Sequence, residues 1–435
     1  MNSPQTLKAD YLTSLLADQP YLSASPLTYL NALRAEAIDR VSALTVPTLR
    51  DEEWRFTDIS MLIKTPFKPV REATELKAID IKHLHIEEAI TRLVFIDGIY
   101  APHLSSEQKN QGISVTHLKA DRSPHTATIE AHLGCHAKFN DNAFAALNTA
   151  FLNDAALILV SRDTKVTQPI HVLFIATQKD TANYPRLLLL SESNSKATIV
   201  EDYVSLQDGP YFTNSVTEIV LLDNAHINHI RVQRESTKAF HIANCAVSLD
   251  RASNYQSVSV AFGSRISRYN LNLRLDEQSE CAVDGLALIS ERQLADTHTL
   301  IDHAKSHAVS RQMHKCIVGG SAHAVFNGQI MVRQNAQRTD SKQSSRNLLL
   351  TNKARIDTKP QLEIFADDVK CTHGATIGQL DKEEVFYLQS RGLSELAARN
   401  MLTYAFGAEI IERIPVPSLK LTLEKTVLEQ TTIQS

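Results

Sequence analysis

Apolar residues in the first hundred positions fall at helical spacing. Between Pro26 and Leu44 they stand at Leu27, Leu30, Leu33, Ala37, Ile38, Val41 and Leu44, one face of a 3.6-residue period. Ser25 ahead of Pro26 predicts an N-cap with proline at the first helical position. The run Arg50-Asp51-Glu52-Glu53-Trp54-Arg55-Phe56-Thr57-Asp58 carries the only tryptophan. Trp54 and Phe56 stand two apart, which predicts a short extended piece with Trp54 as its packing anchor.

From about Leu93 the pattern changes to short apolar runs between polar turns. Leu93-Val94-Phe95-Ile96 reads as a strand entering a turn at Asp97-Gly98, and Phe144 to Phe151 interrupts with an Ala-rich helical stretch. Strand-like runs then dominate at 156–160, 170–176, 197–200, 216–222, 227–232, 258–262, 269–275, 286–289 and 324–332. A small residue after a polar turn recurs at Ala197, Ala225, Ala252, Cys281, Ala308 and Ala336, in steps of 28, 27, 29, 27 and 28 residues. A strand-built repeat of this length predicts stacked coils of a solenoid, here a parallel β-helix. With only 13 glycines in the chain, a propeller or a Gly-rich calcium-binding solenoid is the poorer reading.

The ends of such a stack expose unpaired backbone groups, and helices commonly cover them. The C-terminal segment supplies helices. Asp381 with Glu384 reads as a capping-box start, Val385, Phe386 and Leu388 follow, and Gly392 reads as a stop. Ser394 then caps a second helix through Leu396, Ala397, Met401, Leu402, Ala405, Phe406, Ile410 and Ile411, ended by Pro415 and Pro417. Its apolar residues serve either the domain core or a docking face. The predicted layout is mainly β: an N-terminal helical domain over 1–92, a parallel β-helix over 93–379 and a C-terminal helical domain over 380–435.

The candidate chemistry lies in Asp367-Asp368-Val369-Lys370-Cys371-Thr372-His373-Gly374-Ala375-Thr376-Ile377-Gly378. The segment before it, 360–366, alternates like a strand. On a strand Cys371 and His373 face the same side, and sulfur with imidazole nitrogen suits iron or zinc. Two ligands do not close a site, so the others must come from elsewhere in the chain or from another chain. The plainer reading is a packed cysteine beside a hydrogen-bonded histidine.

Composition narrows the function. Across 435 residues the net charge is -4 and charged residues make up 22%, which argues against a dedicated nucleic-acid binder. No apolar run approaches the ~20 residues of a membrane span. The start, Met1-Asn2-Ser3-Pro4-Gln5-Thr6-Leu7-Lys8, lacks a basic-then-apolar signal, so the expected address is the cytoplasm. The five cysteines (Cys135, Cys245, Cys281, Cys316, Cys371) are scattered and form no C-x-x-C, against a resident zinc ribbon or ferredoxin-type cluster. No P-loop and no G-x-S-x-G elbow is present.

The Cys371/His373 block, preceded by Asp357-Thr358-Lys359-Pro360-Gln361-Leu362-Glu363-Ile364 and followed by Phe386-Tyr387-Leu388-Gln389-Ser390-Arg391-Gly392, resembles the SufB/SufD family of iron–sulfur assembly proteins. Segments 51–57, 145–151 and 169–171 resemble it too, so the likeness spans essentially the whole chain. The resemblance implies a right-handed β-helix between helical ends. It implies a non-catalytic scaffold that pairs with SufB and the ATPase SufC, with self-pairing a further option when SufB is absent. It also implies a transient iron or iron–sulfur cluster, not a permanent cofactor, at the SufB interface, with His373 and Cys371 as this chain's ligands. SufC would dock on the C-terminal helices around Phe386, Tyr387, Arg391, Gly392 and Leu393. The other four cysteines are expected to be structural. Two readings compete: a purely architectural partner with no ligand role, and a β-helix hydrolase or lyase using Cys371 as nucleophile. Residues at i and i+2 of a strand point alike and not toward each other, which disfavours the latter.

Overall fold

The computed structural model describes residues 11–17, 19, 22, 24–106, 112–120 and 125–433; the opening Met1–Lys8 read above lies outside them. Seventeen strands wind the main body: β1 (Thr91–Ile96), β2 (Ala156–Val160), β3 (Ile170–Ala176), β4 (Arg186–Ser191), β5 (Lys196–Ser205), β6 (Phe212–Leu221), β7 (His226–Arg234), β8 (Phe240–Leu249), β9 (Asn254–Ala261), β10 (Ile266–Leu275), β11 (Glu280–Ile289), β12 (Leu294–His303), β13 (Val309–Val318), β14 (His323–Val332), β15 (Asp340–Leu349), β16 (Arg355–Ile364) and β17 (Lys370–Gly378). Odd-numbered strands pair in parallel in one sheet and even-numbered strands in the other. Each coil therefore adds one strand to each sheet, the predicted parallel β-helix. Alternate side chains face a lumen packed with Leu, Ile, Val and Tyr, among them Ile199, Tyr203, Tyr255, Leu271 and Ile330.

The repeat is real, but its phase differs from the expected one. Ala197 stands in register with Ile227, Tyr255, Cys281, Ser310, Ser341 and Cys371, not with Ala225, Ala252, Ala308 and Ala336. The coils differ in length at their turns, so a fixed period drifts out of register. One corner is a ladder of left-handed residues: Asn194, Asn224, Ala252, Gln278, His307 and Arg338 all have positive φ. Each N–H bonds the next coil, as in Asn224 N–H to Arg251 O at 2.9 Å and His307 N–H to Gln337 O at 2.9 Å. The inter-coil bond offsets what left-handed backbone costs a residue with a Cβ.

Helix α1 (Thr28–Ala43) and helix α2 (Ala143–Ala150) match the expected helices. Ser25 does not cap α1. Its hydroxyl accepts the Leu27 N–H two residues on, and Leu27 holds the N-cap position. Trp54 closes a single 3-10 turn, Glu52–Trp54, where an extended piece was expected. It is the anchor foreseen, lying under the Arg268 guanidinium at 3.9 Å and 5.7 Å from Phe144. The same strap is pinned through His298, whose ring bonds Glu53 at 3.0 Å and Asp296 at 2.9 Å. Burial opposes the charge on His298, but the two carboxylates outweigh it and raise its pKa above the usual imidazole range.

Three helices follow the strands: α3 (Lys382–Ser390), α4 (Glu395–Ile411) and α5 (Pro417–Ile433). Asp381 and Ser394 cap the first two, accepting from Glu383 N–H and Ala397 N–H. Gly392, at φ +97°, makes the turn that a Cβ would disfavour. Pro417 starts α5 where it was expected to end a helix, because proline suits a first helical position. The C-terminal helices do not cover the end of the solenoid. They pack along its flank, Ile410, Ile411, Leu423 and Val427 meeting Val200, Ile230, Val258, Leu286 and Ile317. The outward residues of the odd sheet are themselves apolar there, and the helices bury them.

Candidate metal site at the open end of the solenoid

β16 and β17 are the last strands of the two sheets, and among the described residues no strand pairs with their outer edges. β17 is largely exposed and β16 mostly half-buried, with no fully buried residue in either, unlike the coils beneath them. At the rim Phe365 is 64% exposed next to the exposed Ile364, and Ile377, toward the other end of β17, is exposed as well.

Cys371 and His373 lie on β17, as the alternation predicts. Cys371 sits in register over Ser341 and His373 over Gln343. Cys371 is half-buried and packs on the luminal core, so His373, two residues on, shares the luminal side. His373 is exposed. Burial raises the Cys371 thiol above its ordinary pKa and the Asp340 carboxylate adds to this, while the Ser341 backbone N–H opposes it. Among the described residues no third His, Cys, Asp or Glu joins the pair in a metal-ligating group. The donors present, one thiol and one imidazole, suit iron but make half a coordination shell.

The other cysteines are placed as expected for three of the four. Cys245, Cys281 and Cys316 are buried, and burial pushes Cys281 and Cys316 up to about 12. Cys135 is exposed, in the turn after His132. None lies in strand register with His373.

At the C-terminal helices, Phe386 and Tyr387 are 71% and 57% exposed. Arg391 stacks over the Tyr387 ring at 5.2 Å. Gly392 shapes the turn, and Leu393 is partly buried beside it. Between α3 and α4 runs a groove of about 430 Å³ with Tyr387, Leu388, Met401, Leu402 and Ala405 along it and Glu383 and Glu384 at its edge. An apolar floor with an acidic rim is a form that accepts a protein partner. Sequence reasoning missed two features: that this end of the solenoid stays uncovered by the C-terminal helices, and Gln343 beneath His373, some thirty residues upstream and brought there only by strand register.

No described helix is long and apolar enough to cross a membrane. Residues 174–406 match the family model described as "SUF system FeS cluster assembly, SufBD core domain", and residues 5–172 match the SufBD protein N-terminal region. The chain is 39% identical to an iron–sulfur cluster assembly SufBD family protein of Synechocystis, covering 95% of this chain and 93% of that one. It is 35% identical to the iron–sulfur cluster assembly protein SufD of Escherichia coli, over 86% and 87% of the two chains. Against the protein of that name from Bacillus subtilis it is 25% identical, over 95% and 98%. With matches along nearly its whole length and a parallel β-solenoid between helical ends, this chain belongs to the SufBD family of iron–sulfur cluster assembly proteins.

Proposed function

We propose that this chain is a non-catalytic scaffold subunit of a SUF assembly complex that lends His373, with Cys371 beside it, to iron or a nascent cluster held between two chains. The iron or cluster is cargo, built and passed on. The observation that carries this reading is the exposed final coil. It offers unpaired backbone along β16 and β17 and half a ligand set at one place. Open sheet edges pair with other chains, and a SufB-type partner completing the edge would complete the shell. The unpaired thiols support work in a reducing compartment, the cytoplasm.

Replacing His373 with Ala is the test. In the complex with SufB and SufC, reconstituted without oxygen, His373→Ala should leave subunit stoichiometry unchanged and sharply reduce iron content and cluster absorbance. Cys371→Ser should cost less, because Cys371 also packs on the core. Undiminished cluster in both variants would leave the chain a purely architectural partner.

The exposed Phe386 and Tyr387, with Tyr387 also lining the groove between α3 and α4, support docking of the ATPase subunit on Phe386, Tyr387, Arg391 and Leu393, with Gly392 setting the turn. Exposed aromatics at such a place carry interface energy out of proportion to their number. Phe386→Asp should weaken SufC retention by ~2 kcal/mol or more, roughly 30-fold in affinity, read by co-purification and calorimetry. Unchanged SufC binding would move the docking surface off these helices.

A further inference from the structure

We infer that Gln343 is the positioning residue for His373, accepting the imidazole N–H so that the other ring nitrogen is left for iron. The inference rests on the reading of His373 as a ligand. Gln343 lies on β15 as the in-register neighbour of His373 on β17, and the two share the luminal side. Adjacent strands stand about 4.8 Å apart, so a glutamine side chain spans the gap. Gln343 is 1% exposed.

Its amide is held from below. Gln343 Nε2 donates to Gln312 Oε1 at 2.8 Å, and Gln312 Nε2 donates to Thr299 Oγ1 at 2.9 Å. The opposite sheet leaves it room: a Cβ on Gly328 would come within 2.4 Å of Gln343 Nε2. With Nε2 committed, Oε1 is left buried with no hydrogen-bond partner. A buried acceptor without a donor is unfavourable and calls for an explanation.

The donor it fits is an imidazole N–H. A histidine that gives one ring nitrogen to a metal carries its proton on the other, and that N–H is regularly held by a carbonyl or carboxylate, which fixes the tautomer and aims the ring. Gln343 Oε1 supplies such a carbonyl from a strand whose own position is fixed on both sides. Being neutral, it orients His373 without placing a charge beside the donor pair.

The test is a ferrous iron titration without oxygen, on the full chain in complex with SufB and SufC. Native protein is compared with Gln343→Met, Gln343→Glu, His373→Ala and the double variant Gln343→Met/His373→Ala. Gln343→Met conserves length and removes the acceptor. It should weaken iron binding 10- to 100-fold with native elution and thermal midpoint. Gln343→Glu, which keeps an acceptor, should restore most of it. The double variant should bind no worse than His373→Ala, because Gln343 acts through His373. Should His373→Ala lose iron while Gln343→Met binds as native, the positioning role is wrong and the ligand reading stands. A further tenfold loss in the double variant, or equal loss with Gln343→Glu, also overturns it, since both mark a structural role. Native binding by His373→Ala removes the ligand reading and this inference together.

Discussion

Lowering the pH from 7 to 4 is expected to cost the folded chain several kcal/mol. Two luminal histidines drive this. His314 is stacked on Phe326 at 4.5 Å, and burial pushes its pKa down to about 3. His303, bonded to Ser310 at 2.9 Å, is pushed down to about 4 by burial, with Asp302 opposing. Both folded values lie below the ordinary 6.5. As pH falls, the unfolded chain takes up the proton first, so the loss is absent above 6.5 and grows toward the folded values. At pH 4 each histidine contributes on the order of 3 kcal/mol, at ~1.4 kcal/mol per unit. Buried carboxylates extend the window. Burial opposes their charge, yet Glu201 beside His229, Asp202 beside Arg234 and Asp296 beside Arg268 are held at about 2. Their stabilisation is present above ordinary carboxylate values and is lost as pH falls from about 4.5 toward 2. Denaturant titrations at pH 7, 5.5 and 4 check this. The midpoint should fall monotonically, and His314→Leu should flatten the upper part of the curve. A midpoint constant down to pH 4.5 would contradict it.

Glu218→Ala should be the most damaging single substitution in the region joining the N-terminal helices to the solenoid. The Glu218 carboxylate on β6 meets Arg186 of β4 at 2.6 Å, both side chains fully buried. It also accepts the backbone N–H groups of Gly134 and His136 at 2.8 Å and Ala137 at 3.0 Å. One carboxylate thus ties the turn before α2 to the sheet. Removing it strands the Arg186 guanidinium, left with Asn148 and Thr149 alone, and orphans three amides. Breaking a buried pair by removing one partner costs about 3–5 kcal/mol. Glu218→Gln keeps an acceptor and should cost less. Chemical denaturation of both variants checks the ordering, and a loss below ~1 kcal/mol for Glu218→Ala would show that water reaches the site.

The strands were legible because a chain wound with alternate residues inward carries its pattern locally: runs such as Ile170–Ala176 and Ile227–Val232 need no tertiary information. The pairing was not. Cys281 marks the register column and Ala308 does not, since turn lengths shift from coil to coil. The i, i+2 placement of Cys371 and His373 followed from strand geometry alone. The exposure of their strand did not, because it depends on the C-terminal helices packing along the flank and not over the end. Contacts between distant segments were equally hidden. Glu53 and His298 are 245 residues apart, and no local pattern links them. Pro417 shows the ambiguity of a single signal, as the same residue type ends one helix or begins another.

The central claim is that His373 touches the cargo. The most direct measurement is pulsed paramagnetic resonance on the reduced cluster of the reconstituted complex, with only this subunit carrying ¹⁵N-histidine. A nitrogen hyperfine coupling that is present in the native complex and absent in His373→Ala is the predicted result. No ¹⁵N coupling, or one that survives the substitution, would contradict it and assign the chemistry to the partner.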